Sequence, residues 1–392
     1  MVITIHINRR HHQSVLCHPS QFMYHLLVIC ICILLLLPAQ ATMIRSTPAF
    51  AVRVVSYNVL SSHLASPSHF TTLDPTHLEA SNRLPLIFKK LDEEIESSKS
   101  NVVLCLQEVS NDWAAAFHVW FANKGYHLVT GLYGHKFNGY MGVAIAYPTA
   151  AFETVDVDIS RLADKRIGGW PRAPKPSMTD SILKTVKPLW TMPLGYLGLW
   201  KKPKEDHWSM SGRRYNILLT TTLRDKQSGE AFCIGNYHMP CAFYCPPAMT
   251  IHSEMAAKHV QDISASKAGL PYILAGDWNI TPDSPTYKML TTGKLQLDDP
   301  SYPTPKHGME WGVTAASMRS AYAEKGGEPD FTNYARVKEQ DAFVDTLDYI
   351  FLSPEWKVEN TKSIVHRNVA NGPYPNAQEP SDHVMISADL AL

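Results

Sequence analysis

The residues best suited to chemistry in this sequence lie at the end of a short apolar run. Residues 272–279 read as a buried strand that reaches Gly276 and then presents a carboxylate and a carboxamide two positions apart. Because side chains alternate faces along an extended chain, Asp277 and Asn279 are predicted to project to the same side. The packing of a hydrophobic core does not require such a pair. We therefore interpret it as part of a site for a polar ligand.

Five other apolar segments end at polar residues of the same kind. These residues are Asn58, Gln107-Glu108, Asn236-Tyr237-His238, Asp348 and Asp382-His383. Each one taken alone is more simply explained as a turn residue, a helix cap or a surface histidine. Six such ends in one chain favour a single shared site instead.

The residue types in this set match metal-assisted hydrolysis of a phosphodiester. Oxygen ligands, with Glu108 foremost and Asn58 and Asp382 beside it, suit Mg²⁺, with Mn²⁺ as the alternative ion. A histidine oriented by a carboxylate can polarise or deprotonate water, and amide or imidazole donors can hold the non-bridging phosphate oxygens. The set contains no cysteine nucleophile, glycine-rich phosphate loop or Ser/His/Asp triad. Hydrolysis assisted by a metal ion is the reaction that it describes.

These residues must be positioned by a layered arrangement of strands and helices. Apolar patterning predicts strands at 52–58, 102–106, 142–147, 217–223, 231–236, 272–277, 346–352 and 384–390, and helices at 84–95, 113–123 and 251–266. The segments 217–223 and 231–236 are predicted to form a hairpin. Many strands with interspersed helices favour an α/β fold with mixed sheets, and a second full domain is not needed.

Taken in order, the strand-end motifs resemble the endonuclease/exonuclease/phosphatase (DNase I-like) superfamily. The motifs are Ser56-Tyr57-Asn58, Gln107-Glu108, Asn236-x-His238, Gly276-Asp277-x-Asn279, Leu347-Asp348-Tyr349 and Ser381-Asp382-His383. The resemblance covers about residues 51–392. It implies a four-layered α/β sandwich in which two packed, mixed, mostly antiparallel sheets are flanked by helices.

The same resemblance implies a role for each residue of the site. It places three residues at the Mg²⁺ ion: Asn58, Glu108 and Asp382. Asp348 would orient His383, which would act as a base or as a phosphate-stabilising group. His238 and Asn279 would contact the phosphate. Asp277 would position or activate the attacking water.

Further motifs resemble the deadenylase branch, which includes nocturnin, the Angel proteins and the 2′,5′-phosphodiesterase. They are residues 331–334 ahead of 347–351, residues 282–284, and Pro375-Asn376 ahead of 380–383. This resemblance implies substrate contacts at Phe331 and Asn333. Asp341 stands about where an adenine-stacking aromatic residue is expected. The reaction type therefore follows from the resemblance more firmly than the substrate does.

Residues 161–214 form a basic, aromatic insertion within the predicted domain. Its aromatic residues are Trp170, Trp190, Tyr196, Trp200 and Trp208, interleaved with lysines and arginines. One interpretation is a loop that binds a single strand through phosphate contacts and base stacking, with Arg213 and Arg214 among its substrate contacts. The other is a solvated insertion that packs a few tryptophans on the sandwich.

The N-terminal region has the pattern of a secretory signal. An apolar run of twelve residues, Leu26–Leu37, is followed by Pro38-Ala39-Gln40-Ala41. We therefore predict a signal peptide at 1–41, a linker at 42–50 and a domain at 51–392, in a protein that is secreted or lies in the endomembrane lumen. If Met43 is the true start, the protein is instead cytoplasmic.

Composition leaves the partner of the protein open. Lys plus Arg equals Asp plus Glu at 36 each, so the net charge does not indicate nucleic acid. We predict a nuclease of the 3′-exonuclease or 2′,5′-phosphodiesterase kind, with RNA favoured over DNA, or an enzyme acting on a small phosphodiester. The alternatives are a secreted hydrolase of lipid headgroups and, least favoured, a non-catalytic binding protein. No obligate protein partner is indicated.

A small cysteine and histidine cluster follows the hairpin. Cys241 and Cys245 are close enough in sequence to form a disulfide in a secreted protein. Together with His238 and His252 they form a loose H-x2-C-x3-C-x6-H pattern, which matches no standard zinc module. A zinc site here is therefore a minor alternative.

Overall fold

The computed structural model describes residues 50–174 and 206–392. The predicted signal peptide at 1–41, most of the predicted linker and the centre of the insertion lie outside these residues. The predicted boundary between the linker and the domain moves by one residue, because Phe50 was assigned to the linker. Phe50 is buried and packs against the rings of Phe152, Phe232 and Trp356, so it belongs to the core of the domain.

The strands form two six-stranded sheets and one short two-stranded ribbon. They are β1 (Ala51–Asn58), β2 (Asn101–Val109), β3 (Tyr126–Leu132), β4 (Gly142–Pro148), β5 (Phe152–Arg161), β6 (Ile217–Asp225), β7 (Ala231–His238), β8 (Tyr272–Asp277), β9 (Arg319–Ser320), β10 (Asn333–Ala335), β11 (Phe343–Asp345), β12 (Asp348–Leu352), β13 (Lys357–Thr361) and β14 (Ile386–Ala391). The first sheet has the order β13-β14-β1-β2-β4-β3, and the second has the order β5-β6-β7-β8-β12-β9. Strands β10 and β11 form the ribbon.

Helices flank the sheets. They are α1 (Ala80–Ser97), α2 (Asn111–Asn123), α3 (His207–Gly212), α4 (Pro246–Ser266) and α5 (Pro285–Thr292). Helices α1 and α2 pack on the outer face of the first sheet, where Ile87 and Phe117 meet Val55. Helices α4 and α5 cover the outer face of the second sheet, where Val260 and Leu290 lie in one cluster with strand residues of that sheet.

The two sheets pack face to face through a third apolar cluster. Because side chains alternate along each strand, β1 directs Val54 into the space between the sheets and Val55 toward the helices. On the second sheet, β8 likewise directs Ile273 inward and Leu274 toward α4. Each strand at the centre of a sheet is thus buried on both faces, which explains its nearly continuous apolar sequence.

This arrangement confirms the predicted α/β sandwich of two mixed sheets flanked by helices. Only β1 with β2 and β7 with β8 pair in parallel, and the other pairs are antiparallel. The predicted hairpin of β6 and β7 is also present. Strands β3, β5, β9, β10, β11 and β13 were missed, as were helices α3 and α5. Four of these strands, β3, β5, β9 and β13, lie at the edges of the two six-stranded sheets, and β10 and β11 form the short ribbon.

The described ends of the insertion pack on the second sheet. Trp208 is 2% exposed within the core cluster of α4, and Trp170 packs against that cluster. Arg166 lies over both rings, at 5.5 Å from Trp170 and 4.8 Å from Trp208. For these two tryptophans the packing interpretation holds. Trp190, Tyr196 and Trp200 lie outside the described residues. Among the described residues, no helix has the length and apolar character needed to cross a bilayer.

Candidate active site

The strand register brings the predicted site residues to one edge of the sandwich. Strands β1 and β2 run parallel in the first sheet, so Asn58 and Glu108 emerge at the same edge. Strands β7 and β8 do the same in the second sheet, where His238 pairs with Asp277. Strand β12 runs antiparallel to β8 and begins beside its end, which pairs Asp348 with Asp277.

Gly276 permits the close approach that places Asp277. Its φ is +148°, and a Cβ atom at this position would lie 1.8 Å from the carbonyl oxygen of Tyr237. A side chain therefore cannot fit here without separating β7 from β8. Asn279 follows with φ +49°, a left-handed conformation that turns the chain just after the strand.

Asn58 links carboxylates that belong to different sheets. Its Nδ2 donates to Glu108 Oε1 at 3.2 Å and to Asp277 Oδ2 at 2.9 Å. Its Oδ1 accepts a hydrogen bond from the backbone N–H of Leu60. The other oxygen of Glu108 accepts from the backbone N–H of Ser61 at 2.9 Å. The floor of the site is thus a continuous network of buried polar groups, which fixes their relative positions.

Two histidines approach Asp277, each through its own Nε2 atom. His238 Nε2 lies 3.5 Å from Asp277 Oδ2, and His383 Nε2 lies 3.7 Å from the same oxygen. Each ring is held through its other nitrogen. His238 Nδ1 shares a hydrogen bond with the hydroxyl of Tyr133 at 3.0 Å, and His383 Nδ1 bonds to Asp348 Oδ2 at 2.7 Å.

Thr332 holds the carboxylate that orients His383. Its hydroxyl donates to Asp348 Oδ2 at 2.6 Å. Thr332 Oγ1 also accepts hydrogen bonds from the backbone N–H groups of Leu347 and Asp348. Thr332 is fully buried, so water does not replace these bonds. The segment that contains Thr332 therefore fixes the position of Asp348, which in turn orients His383.

Burial and neighbouring charges set the ionisation of the site. Burial raises the pKa of Asp277 above its usual value, and the nearby His383 opposes that rise. For His383, burial lowers the pKa, but the carboxylates of Asp348 and Asp277 outweigh it and hold the pKa well above its usual value. Burial also raises the pKa of Asp382, to about 6, with a further contribution from Glu108. Crowded carboxylates of this kind favour a bound cation.

The described residues offer two sets of metal-binding groups. Asp277, Asp348 and His383 bring possible ligand atoms within 4.8 Å of one another, but Asp348 and His383 are already hydrogen-bonded together. In the predicted set, Asp382 Oδ1 is buried and has no hydrogen-bond partner, and Glu108 lies close enough to raise the pKa of Asp382. An unpartnered carboxylate oxygen beside a second carboxylate fits a hard cation such as Mg²⁺.

A cleft of about 840 Å³ opens above these residues. Of the predicted substrate contacts, Asn333, Arg213 and Arg214 line it. Phe331 does not. It is 0% exposed and packs against the ring of Tyr334, so its predicted role as a direct substrate contact is wrong. It instead supports the segment that carries Asn333.

Four residues of the site were not predicted. Tyr133 and Asn216 anchor His238, the latter by donating to its backbone carbonyl at 2.8 Å. Thr332 supports Asp348, as described above. Phe343 lines the cleft and is 40% exposed. It lies two positions after Asp341, where an aromatic residue was expected. The aromatic character of Phe343 was the available signal, and the error was one of two positions in alignment.

Among the described residues, the predicted cysteine and histidine cluster does not form a metal-binding group. Cys241 and Cys245 are free thiols. His252 is buried and is bonded to the hydroxyl of Tyr237 at 2.9 Å and to the carbonyl of Ser211 at 3.1 Å. Both ring nitrogens of His252 are therefore occupied, and the minor zinc interpretation is wrong.

Comparison with known proteins agrees with this geometry. The model of the Endonuclease/Exonuclease/phosphatase family matches residues 55–383. The CCR4-Not complex 3′-5′-exoribonuclease subunit Ccr4 of Aspergillus niger is 23% identical over 88% of this chain and 53% of its own length. Human 2′,5′-phosphodiesterase 12 is 26% identical over 45% of this chain and 29% of its own length. The chain thus spans about half the length, or less, of these curated relatives.

Solved structures share the fold. ANGEL2, described as a 2′,3′-cyclic phosphatase in complex with adenosine-2′,3′-vanadate, superposes with a TM-score of 0.63 at 21% identity, over 88% of this chain and 96% of its own. The human Nocturnin catalytic domain with a bound sulfate anion gives 0.53 at 20% identity, over 87% and 93%. The resemblance read from the strand-end motifs, including its branch, is confirmed: this chain belongs to the endonuclease/exonuclease/phosphatase family.

Proposed function

We propose that this protein is a Mg²⁺-dependent phosphodiesterase that hydrolyses single-stranded RNA from a 3′ end. The observation that carries the proposal is the approach of two imidazole Nε2 atoms to one buried carboxylate oxygen. His238 and His383 lie 3.5 and 3.7 Å from Asp277 Oδ2, on the floor of the cleft. A carboxylate can accept a proton from the attacking water, and two nearby imidazole groups can donate hydrogen bonds to the phosphate diester.

Asp277 positions the attacking water and accepts its proton in this proposal. The amide of Asn58 holds Oδ2 at 2.9 Å, and the backbone N–H of Asn279 holds Oδ1 at 3.0 Å. The carboxylate is therefore fixed before substrate arrives, which removes the cost of orienting it during the reaction. Burial raises its pKa, so it is a better base than an exposed aspartate.

His238 and His383 donate hydrogen bonds to the non-bridging oxygens of the phosphate. Negative charge concentrates on these oxygens as water attacks. Asp348 accepts from His383 Nδ1 and keeps the opposite nitrogen directed into the site. Tyr133 does the same for His238. Asn279 also contributes, because its amide uses one proton on the carbonyl of Met239 and retains a second.

Glu108 and Asp382 hold the metal ion, with Asn58 beside them. Asp382 Oδ1 and Asp348 Oδ1 are both buried without a hydrogen-bond partner, but His383 Nδ1 is already bonded to Asp348, which favours this assignment over the Asp277, Asp348 and His383 set. Mg²⁺ also prefers oxygen to nitrogen ligands. When bound, the ion neutralises charge on the phosphate and stabilises the leaving oxygen.

The lining of the cleft suits a single-stranded nucleic acid, and the names of two relatives favour RNA over DNA. Phe343 offers a ring for base stacking, and Arg213 and Arg214 offer positive charge. Two of the relatives are named as a 3′-5′-exoribonuclease and a 2′,5′-phosphodiesterase. Both names describe phosphodiester hydrolysis in RNA-like molecules, so the proposal extends that chemistry to this chain.

The proposal is tested by incubating the protein with labelled poly(A), mixed-sequence RNA and single-stranded DNA. We expect cleavage of RNA with Mg²⁺ and none with EDTA. Asp277→Asn should lower kcat by at least about 10³-fold, because the base is lost. The exposed Asp298→Asn is the matched control and should behave as the parent protein. Metal-independent cleavage, or equal activity of the two variants, would refute the mechanism.

The compartment is a separate proposal. We infer secretion or delivery to the endomembrane lumen from the apolar run Leu26–Leu37 and the Ala-x-Ala motif behind it. The N-terminus of the native protein, determined by mass spectrometry, tests this directly. A mature chain that begins at Thr42 agrees with it, and one that retains residues 1–41 or begins at Met43 contradicts it.

A further inference from the structure

Two sets of aromatic side chains line the cleft above the candidate site, and each set is connected to a different histidine. The first set forms one wall of the cleft and is attached to His383, because Asn333 in β10 forms a bridge with that histidine and β10 pairs with β11. This wall carries Phe343, which is 40% exposed. The other wall is attached to His238 and is not used by the function proposed above.

The His238 wall is tied to its histidine by two contacts. Asn216 donates to the His238 carbonyl at 2.8 Å, and the hydroxyl of Tyr133 bonds to His238 Nδ1 at 3.0 Å. Tyr215 immediately precedes Asn216, and Phe137 follows Tyr133 by four residues. Both histidines approach Asp277, and residues of both walls line the same cleft.

The rings of the His238 wall are exposed although they line a cleft. Phe137 is 72% exposed, Tyr215 53% and Phe243 52%. Exposed aromatic side chains gathered around a cavity are costly unless a ligand covers them. His135 lies edge-on to Tyr215 at 5.3 Å, and its ring is parallel to Phe137 at 6.3 Å, so the wall is an organised set.

Positive charge accompanies these rings. The guanidinium of Arg161 lies 4.8 Å from the centre of the Tyr215 ring and supports it from the protein side. Arg214 also lines the cleft and donates to the hydroxyl of Tyr244 at 3.2 Å. Aromatic rings with arginines match the stacking and phosphate contacts of a single-stranded nucleic acid.

We propose that Phe137 and Tyr215 form a second nucleotide subsite, which stacks the base on the His238 side of the scissile phosphate. The substrate is then an oligonucleotide with a base on each side of the cleaved bond, and a mononucleotide or a lipid headgroup fills only half of the cleft. This inference rests on the proposed function and narrows it to substrates of at least two nucleotides.

Three dinucleotides test the subsite. They are adenylyl-adenosine and its two analogues that each lack one of the two bases. Loss of one stacked base should lower kcat/KM by about 5- to 100-fold. Tyr215→Ala should lower kcat/KM for the complete dinucleotide by that factor, yet leave one of the two analogues unaffected. Phe343→Ala should show the same selectivity for the other analogue.

Tyr140→Ala is the matched control, since Tyr140 is 52% exposed and is not among the cleft-lining residues. It should match the parent protein on all three substrates. If Tyr215→Ala affects all three dinucleotide substrates equally, or affects none of them, the subsite proposal is refuted. The proposed nuclease function is not affected by that result. Cleavage of poly(A) without cleavage of any dinucleotide also overturns only the subsite. If neither poly(A) nor a dinucleotide is cleaved, both proposals fail.

Discussion

Asp277 receives contacts from both sheets, and this accounts for much of the chemistry inferred here. Asn58 of the first sheet donates to its Oδ2, and His238 of the second sheet approaches the same oxygen. The residue is only 2% exposed, so its environment is set by the fold and not by solvent. A carboxylate held in this way loses little entropy when it binds a water molecule.

Thr332 allows the support behind Asp348 to be tested. Thr332→Ala removes a hydroxyl that donates to Asp348 and accepts from two backbone N–H groups. We expect a loss of about 1–3 kcal/mol in the free energy of unfolding, because the two buried donors lose their partner. We also expect a lower kcat, since His383 is no longer firmly oriented. Denaturant unfolding and RNA cleavage measure the two effects. Thr332→Ser keeps the oxygen and should restore both, and failure to do so would contradict this role.

His252 makes the stability of the protein depend on pH. Its Nε2 donates to the Ser211 carbonyl and its Nδ1 accepts from Tyr237, so the ring is neutral in the fold. Burial lowers its pKa to about 4. The unfolded chain takes up this proton near pH 6.5, whereas the folded protein does not. Stability is therefore complete above about pH 6.5 and falls as the pH approaches 4, by up to about 3 kcal/mol.

Denaturant unfolding at pH 7, 5.5 and 4.5 measures this dependence. His252→Gln removes the titrating group, so its unfolding free energy should change less over that range than that of the parent protein. Equal pH dependence in the two proteins would show that His252 does not contribute.

At the scale of elements, helix α1 joins two loops of the site. Arg83 is 1% exposed, and its guanidinium donates to the carbonyls of Val59 and Leu60 after β1 and of Pro380 before His383. It also lies 5.1 Å from the ring centre of Trp113 in α2. The helices outside the first sheet thus connect the segment after Asn58 with the segment before His383.

Arg83→Met keeps the length of the side chain but leaves three buried carbonyls without a donor. We expect a loss of about 2–5 kcal/mol in unfolding free energy and a lower kcat, because both loops are released. Lys89→Met on the same helix is the control, since the Lys89 side chain is 71% exposed. Thermal unfolding and kinetics distinguish the variants. If Arg83→Met is as stable as Lys89→Met, then Arg83 does not stabilise the two loops.

Elements at the centre of each sheet were predictable, and those at the edges were not. Strands β1, β2 and β8 are buried on both faces, so their apolar runs and polar ends are evident in the sequence. Strand β5 is an edge strand with exposed Val155, Val157 and Ile159, and its apolar residues do not mark a core face. Tyr133 and Thr332 were missed for a different reason. Tyr133 contacts His238 and Thr332 contacts Asp348, and both partners are distant in sequence, so no local pattern indicates the contact.

At the scale of the whole molecule, the site joins the two sheets at one edge of the sandwich. Glu108 comes from the first sheet and Asp277 from the second, while Asp382 precedes the last strand of the first sheet. Charge repulsion among these carboxylates opposes the packing of the sheets at this edge. A bound divalent cation would offset that repulsion, so metal binding and the stability of the domain should be coupled.

Asp382→Asn separates charge repulsion from metal binding. It should raise the stability of the metal-free protein and lower the stability gained from Mg²⁺. The pKa of Asp382 is raised to about 6 in the fold, so at pH 8 the ionised carboxylate destabilises the metal-free protein. Removing the charge should therefore raise the metal-free Tm at pH 8, by an amount that corresponds to about 1–3 kcal/mol. For the parent protein, Mg²⁺ at 100 times its Kd should add about 2.7 kcal/mol of stability. Asp382→Asn should lose most of that increase.

Thermal unfolding at pH 8, with EDTA or with a Mg²⁺ titration, measures both effects on each protein. Asp298→Asn removes an exposed carboxylate outside the site and should leave the metal-free Tm and the Mg²⁺ response unchanged. A lower metal-free Tm for Asp382→Asn would mean that its carboxylate stabilises the fold without a cation. A Mg²⁺ response equal to that of the parent protein would place the ion elsewhere, and the Asp277, Asp348 and His383 group would then be the site to test.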